Sequence, residues 1–188
     1  GLAIGLGGVG ITLRDLVGMY AAIARGGKTI VNTSVLAFAD ARAFADKHPE
    51  ALIGVGSDPA DDVFLRSLTQ TGDGLQLVLV RKGEDHHLSA PLFGLHHGMN
   101  IALAFVTALE MGVDAETAKI ALRSTPQISH RLEVRRQADG VTIIDDGYNS
   151  NPAGFASALD LLALLKGESV FVGIYRLFPR SEEHTSEL

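Results

Sequence analysis

The sequence contains no cysteine, which removes disulfides, thiolate zinc sites and a cysteine nucleophile and fits a reducing compartment. No apolar run approaches the roughly 18 residues of a membrane span. No signal peptide with a basic front end is visible either, so a cytoplasmic address without a membrane span is the expectation. Basic charge is scarce too: 16 Lys and Arg stand against 22 Asp and Glu, for a net charge of -6. With no basic run to meet phosphates, nucleic acid is not an expected partner. What the chain does have is apolar material, 46% of 188 residues, enough for one ordinary domain or for pieces of two.

The chain opens GLAIGLGGVG, in which Gly5, Gly7 and Gly10 fit the spacing G-x-G-x-x-G. A dinucleotide site needs a strand before these glycines, a helix after them and an acid about 20 residues on for the ribose. The helix is there: Thr12 caps it, Leu13, Leu16, Val17, Tyr20, Ile23 and Ala24 form an apolar stripe, and Gly26-Gly27 ends it. The acid is not, since Gly27-Lys28-Thr29-Ile30-Val31 closes no second strand on a carboxylate. Glycines shaping a tight turn fit better than a phosphate cradle.

From Thr29 the texture is that of an α/β domain. The pattern predicts a buried strand over 29–32, a helix over 35–48 with Leu36, Phe38 and Phe44 inward, and a strand over 51–55. Three short strands follow, over 63–68, 75–80 and 86–90, separated by the hairpin-type turns Thr71-Gly72-Asp73-Gly74 and Lys82-Gly83-Glu84-Asp85. Helices are expected over 99–111 and 115–122, with Asp114 as the N-cap of the second. Another hairpin, 131–135 and 141–144 around Ala138-Asp139-Gly140, runs into Asp145-Asp146-Gly147-Tyr148-Asn149-Ser150-Asn151-Pro152 and a helix over 152–165. Strand, polar turn and helix start is the geometry at which α/β sheets bind ligands. A last apolar strand is expected over 169–172.

Two stretches together resemble the ATP-dependent muramyl ligases of peptidoglycan synthesis, the Mur ligases. Leu92-Phe93-Gly94-Leu95-His96-His97-Gly98-Met99-Asn100 is similar to the family's G-x-H-N-x-x-N segment. His130-Arg131-Leu132-Glu133-Val134 leads to an octet, Asp145 to Pro152, resembling the D-D-x-Y-N-A-N-P of the member that adds D-alanyl-D-alanine to the UDP-muramyl tripeptide. Order and spacing agree over about residues 28–166. The resemblance implies ATP and Mg2+ as cofactors, and UDP-muramyl peptide and D-alanyl-D-alanine as partners. Arg131 would reach the ATP phosphates, as guanidinium forks suit phosphate oxygens. Asp146 would accept hydrogen bonds from the ribose hydroxyls, and Asn100 would bond the adenine through its amide. Tyr148, Asn149 and Asn151 would line the nucleotide side of a hinge between central and C-terminal domains. Each has a plainer reading: Asp145 and Asp146 as helix caps, Asn151-Pro152 as a helix start.

The departures are informative. His97 stands where the family has the first Asn of N-x-x-N. The family's phosphate loop ending in G-K-T, its magnesium-binding Glu and His and its modified lysine precede the region of resemblance, and no G-x-x-x-x-G-K-[ST] occurs in the 188 residues. A fragment without catalytic activity is the expectation. The implied fold is α/β: the later part of a central domain (28–140) with a mixed sheet and hairpins, then a truncated Rossmann-like start of a C-terminal domain (141–179).

The ends resemble other things. GLGGVGITLRDLVGMYAAIARGG, within residues 1–27, is similar to a segment of class A penicillin-binding proteins of the 1C type, although no S-x-x-K, S-x-N or K-T-G of a transpeptidase is present. Arg180-Ser181-Glu182-Glu183-His184-Thr185-Ser186-Glu187-Leu188 resembles a translated sequencing adapter. Together they imply a junction of unrelated pieces. The transpeptidase and a non-catalytic α/β module that holds a nucleotide or anion at its hinge helix are the competing readings. The pairs His86-His87 and His96-His97 invite a metal reading, but neighbours on a strand point to opposite faces, so no more than one of each pair joins a shared site. No metal ligand is assigned.

Overall fold

Residues 28–37, 39–147 and 152–165 are described by the computed structural model. Within them the stretch from Val63 to Ala90 folds into the meander that its turns predict. Five strands form one sheet in chain order: β1 (Thr29–Asn32), β2 (Leu52–Gly56), β3 (Val63–Thr71), β4 (Gly74–Arg81) and β5 (Glu84–Ala90). The first three run parallel and the last three antiparallel, so the sheet is mixed. Period two sets which residues enter the core. On β4, Leu75, Leu77 and Leu79 are buried, while Gln76 between them is exposed. The β4–β5 turn places Lys82 at φ 52 and Gly83 at φ 81, the left-handed pair of a type I′ hairpin turn, whose twist matches the strands.

Helices α1 (Ala39–Lys47), α2 (His97–Glu110) and α3 (Ala115–Arg123) complete the first unit. On α2, Ile101, Ala102, Phe105 and Val106 are buried, one stripe at helical spacing, and they join the strand leucines in a single core. The helix ends in a Schellman arrangement: Gly112, at φ 89, donates to the Leu109 carbonyl at 3.0 Å and Val113 to the Ala108 carbonyl at 3.0 Å. Asp114 then caps α3 as expected, accepting the Thr117 amide at 2.9 Å. Gly94, at φ 97, donates its amide to Gln70 Oε1 at 2.6 Å, which ties the approach to α2 onto β3.

The chain divides into two compact units at Gln127 and Ile128. The second holds a hairpin of β6 (Glu133–Arg136) and β7 (Thr142–Asp145), followed by α4 (Pro152–Leu164). Its turn closes through the Gln137 amide on the Val141 carbonyl at 2.8 Å, and Gly140 takes φ 87. Leu132, Val134 and Leu161 are its buried apolar side chains among the described residues.

The α/β class with a mixed sheet is as expected; four local expectations are corrected. Strand β1 is part-buried at all four positions, because among the described residues it lies at the sheet edge. The helix expected over 35–48 is a 3-10 turn, Thr33–Ala37, followed by α1; Asn32 Oδ1 accepts the Ser34 amide at 3.0 Å and starts the tighter turn. Strand β3 runs on to Thr71 and α2 starts at His97, two residues before Met99. The opening glycine loop and its helix, Phe38, the strand over 169–172 and the tail lie outside the described residues, as do the side chains of Val35 and Phe44.

Candidate functional site

The open end of the second unit's hairpin gathers the charged residues. A turn centred on Asp139 pairs residues equidistant from it, and Glu133 therefore lies directly opposite Asp145. Just before Glu133 the chain makes an unusual bend: His130 has φ 62 and Leu132 has φ 48, left-handed values that cost a non-glycine residue about 1–3 kcal/mol each unless surroundings impose them. Carboxylates impose them here. The His130 amide donates to Glu133 Oε2 at 3.2 Å, and the Leu132 amide donates to Asp146 Oδ1 at 3.1 Å. Between the two, the Arg131 amide donates to the Ile128 carbonyl at 3.2 Å. Arg131 is thus presented from a bend whose flanking amides are both fixed.

Asp145 binds the same bend from its side chain. Its Oδ2 lies 2.9 Å from His130 Nδ1 and accepts from Arg135 Nη2 at 3.1 Å, while Oδ1 accepts the Gly147 amide at 3.1 Å. Burial acts to raise the carboxyl's pKa. The hydrogen bonds from His130 and Gly147, with the charges of His130 and Arg135, outweigh it and hold Asp145 below the ordinary 3.8. Adjacent carboxylates divide the labour: Asp145 holds two side chains and the Gly147 amide, Asp146 the Leu132 amide across the hairpin.

Of the residues singled out in the sequence, Arg131 and Asp146 come together at this end of the hairpin, through Leu132. Asn100 is an exposed residue in the first turn of α2 in the first unit. Tyr148, Asn149 and Asn151 lie outside the described residues. The histidine pairs divide as strand and helix geometry requires. His86 points inward, with its ring 5.2 Å from that of Phe105, while His87 is exposed. His97 is buried and His96 exposed, their rings 4.1 Å apart. Sequence reasoning left His130, Glu133, Asp145 and Arg135 without site roles. The signal for them was the turn itself, since a centre at Asp139 sets Glu133 against Asp145.

No family model matches the chain. It is 29% identical over 110 residues to the UDP-N-acetylmuramoyl-tripeptide--D-alanyl-D-alanine ligase of Buchnera aphidicola subsp. Baizongia pistaciae, over 58% of this chain and 24% of that protein. The structure of MurF from Acinetobacter baumannii matches with a TM-score of 0.55 and 26% identity, over 69% of this chain and 27% of that one. The chain is Mur ligase-like. The Mur ligase-like fold is shared at 18% identity with the MurF ligase from Thermotoga maritima solved in complex with ADP, at a TM-score of 0.51 over 74% of this chain and 31% of that one. This Mur ligase-like chain spans 24% to 31% of the length of these relatives. Among the described residues no helix is long and apolar enough to cross a membrane.

Proposed function

We propose that this chain is part of an ATP-dependent Mur ligase of the cytoplasm. The whole enzyme joins D-alanyl-D-alanine, or another amino acid or peptide, to a UDP-muramyl peptide through an acyl phosphate in peptidoglycan synthesis. The observation that carries the reading is the bend at Arg131, held by Glu133 on one side and Asp146 on the other. A guanidinium on a preformed loop meets phosphate oxygens through paired N–H groups with little ordering cost. ATP supplies the phosphoryl group that activates the acceptor carboxylate. In this reading Arg131 binds its phosphates, Asp146 accepts from its ribose hydroxyls while one oxygen keeps the Leu132 amide, and Asn100 bonds its adenine. Tyr148, Asn149 and Asn151 line the nucleotide side of the hinge.

The Mg2+ of the family's reaction goes with a G-x-x-x-x-G-K-[ST] loop that these 188 residues do not contain. Mg2+ and the chemical step therefore belong to a longer protein, and this segment by itself holds nucleotide without turning it over. Residues 28–140 are the later part of the central domain and 141–179 the start of the C-terminal one. The compact units divide earlier, at Gln127 and Ile128, which keeps both strands of the hairpin together.

Calorimetric titration of ATP with Mg2+ into the purified chain tests this. Sub-millimolar binding that Asp146→Ala and Arg131→Ala each weaken supports the reading; binding indifferent to both, or no binding, overturns it.

A further inference from the structure

Two carboxylates directly opposite on an antiparallel pair repel, yet Glu133 and Asp145 occupy such a pair at the open end of the hairpin. A third potential ligand closes the triangle. One ligand atom from each of His130, Glu133 and Asp145 lies within 4.8 Å of the other two, and among the described residues this is the one group that meets that condition. Ligands around a tetrahedral ion at roughly 2.0 Å sit roughly 3.3 Å apart, and the His130 Nδ1 to Asp145 Oδ2 separation is already 2.9 Å. The imidazole is 60% exposed, so an ion has a route in.

We infer that His130, Glu133 and Asp145 form a site for one divalent transition cation, with zinc as the best fit. An imidazole nitrogen beside two carboxylates suits zinc, nickel or cobalt, whereas magnesium and calcium favour all-oxygen shells. A doubly charged ion neutralises the two opposed carboxylates, a task that Arg135 on Asp145 Oδ2 performs for one of them. Cation and guanidinium thus compete for Asp145, and the bound ion clips the bend before β6 to the end of β7. The inference is separate from the nucleotide reading and needs no ATP.

The test is titration of zinc chloride into the metal-free full chain by calorimetry, with the thermal midpoint of the second unit followed in parallel. One equivalent of zinc binds, and the midpoint rises with zinc concentration because the ion binds the folded form alone. His130→Ala, Glu133→Gln and Asp145→Asn each weaken binding about tenfold or more. Arg135→Gln strengthens it by removing the competitor, a result that a merely structural loss of the hairpin does not give. Excess magnesium leaves the zinc isotherm unchanged. With seven histidines in the chain, His87→Ala serves as the control and has no effect. Zinc binding that survives the three ligand substitutions, no binding at millimolar zinc, or weakening by Arg135→Gln overturns the inference.

Discussion

The carboxylate of Asp146 accepts the backbone amide of Leu132 at 3.1 Å, so the acid that follows β7 sets the direction in which the residue before Leu132, Arg131, leaves the chain. Two groups, one just before β6 and one just after β7, are thereby made into one device. Neither works alone: removing Asp146 frees a bend that its own residues disfavour, with Leu132 at φ 48.

The first expected outcome concerns that bond. Asp146→Ala leaves the Leu132 amide without its acceptor and lowers stability by about 1–3 kcal/mol, read from urea denaturation of the second unit. Asp146→Asn keeps a carbonyl oxygen there and loses less. Equal losses for the two variants would show that charge, and not the amide bond, is what matters.

Acid should loosen the other carboxylate. Asp145 has a folded pKa below its ordinary 3.8, so its contribution is fully present above that value and is lost as pH falls through the depressed one. The difference in stability between the wild-type chain and Asp145→Asn accordingly shrinks toward strongly acidic pH. A difference that is constant from neutral pH downward would remove the ion-pair account.

His86 behaves with the opposite charge. Burial against Phe105 lowers its pKa from 6.5, with Lys119 and Arg81 adding to the effect and Glu84 and Asp85 opposing it. The neutral ring is the form that the folded state favours, so its stabilisation is present above pH 6.5 and lost as pH falls through the lowered value. His86→Phe should flatten the decline of the first unit's denaturant midpoint between neutral and mildly acidic pH. A variant that declines as steeply as the wild type would assign that titration elsewhere.

Gly74 opens β4 at φ 129, and a Cβ there would lie 2.2 Å from the Ala90 carbonyl oxygen and 2.8 Å from the Pro91 Cα. Gly74→Ala therefore meets both a disfavoured conformation, about 1–3 kcal/mol, and backbone overlap that no side-chain rotation relieves. Gly83→Ala meets nothing within 4 Å and has only its φ of 81 against it. The thermal midpoint should fall further for the first variant than for the second.

Much of the fold could be read from local pattern. The residues of β4 alternate, the hairpin turns carry glycine, and Asp114 announces α3, because these features depend on neighbours two to four residues apart. The edge position of β1 could not be read, since an apolar run looks the same at the centre of a sheet as at its margin. Motif resemblance picked out Arg131 and Asp146, but not why they belong together.

By itself the sequence determined the alternation of β4, the apolar stripe of α2 and the turn at Asp139, each fixed by side-chain period or backbone preference over a few residues. The left-handed turns at His130 and Leu132 run against local preference and exist because Glu133 and Asp146 hold the amides. The meeting of His130, Glu133 and Asp145 likewise follows from strand register closing a gap of 15 residues. The His130 amide bond to Glu133 is local, three residues apart, but the bonds of Leu132 to Asp146 and of His130 to Asp145 form only after the hairpin has closed, so only the tertiary structure decided them.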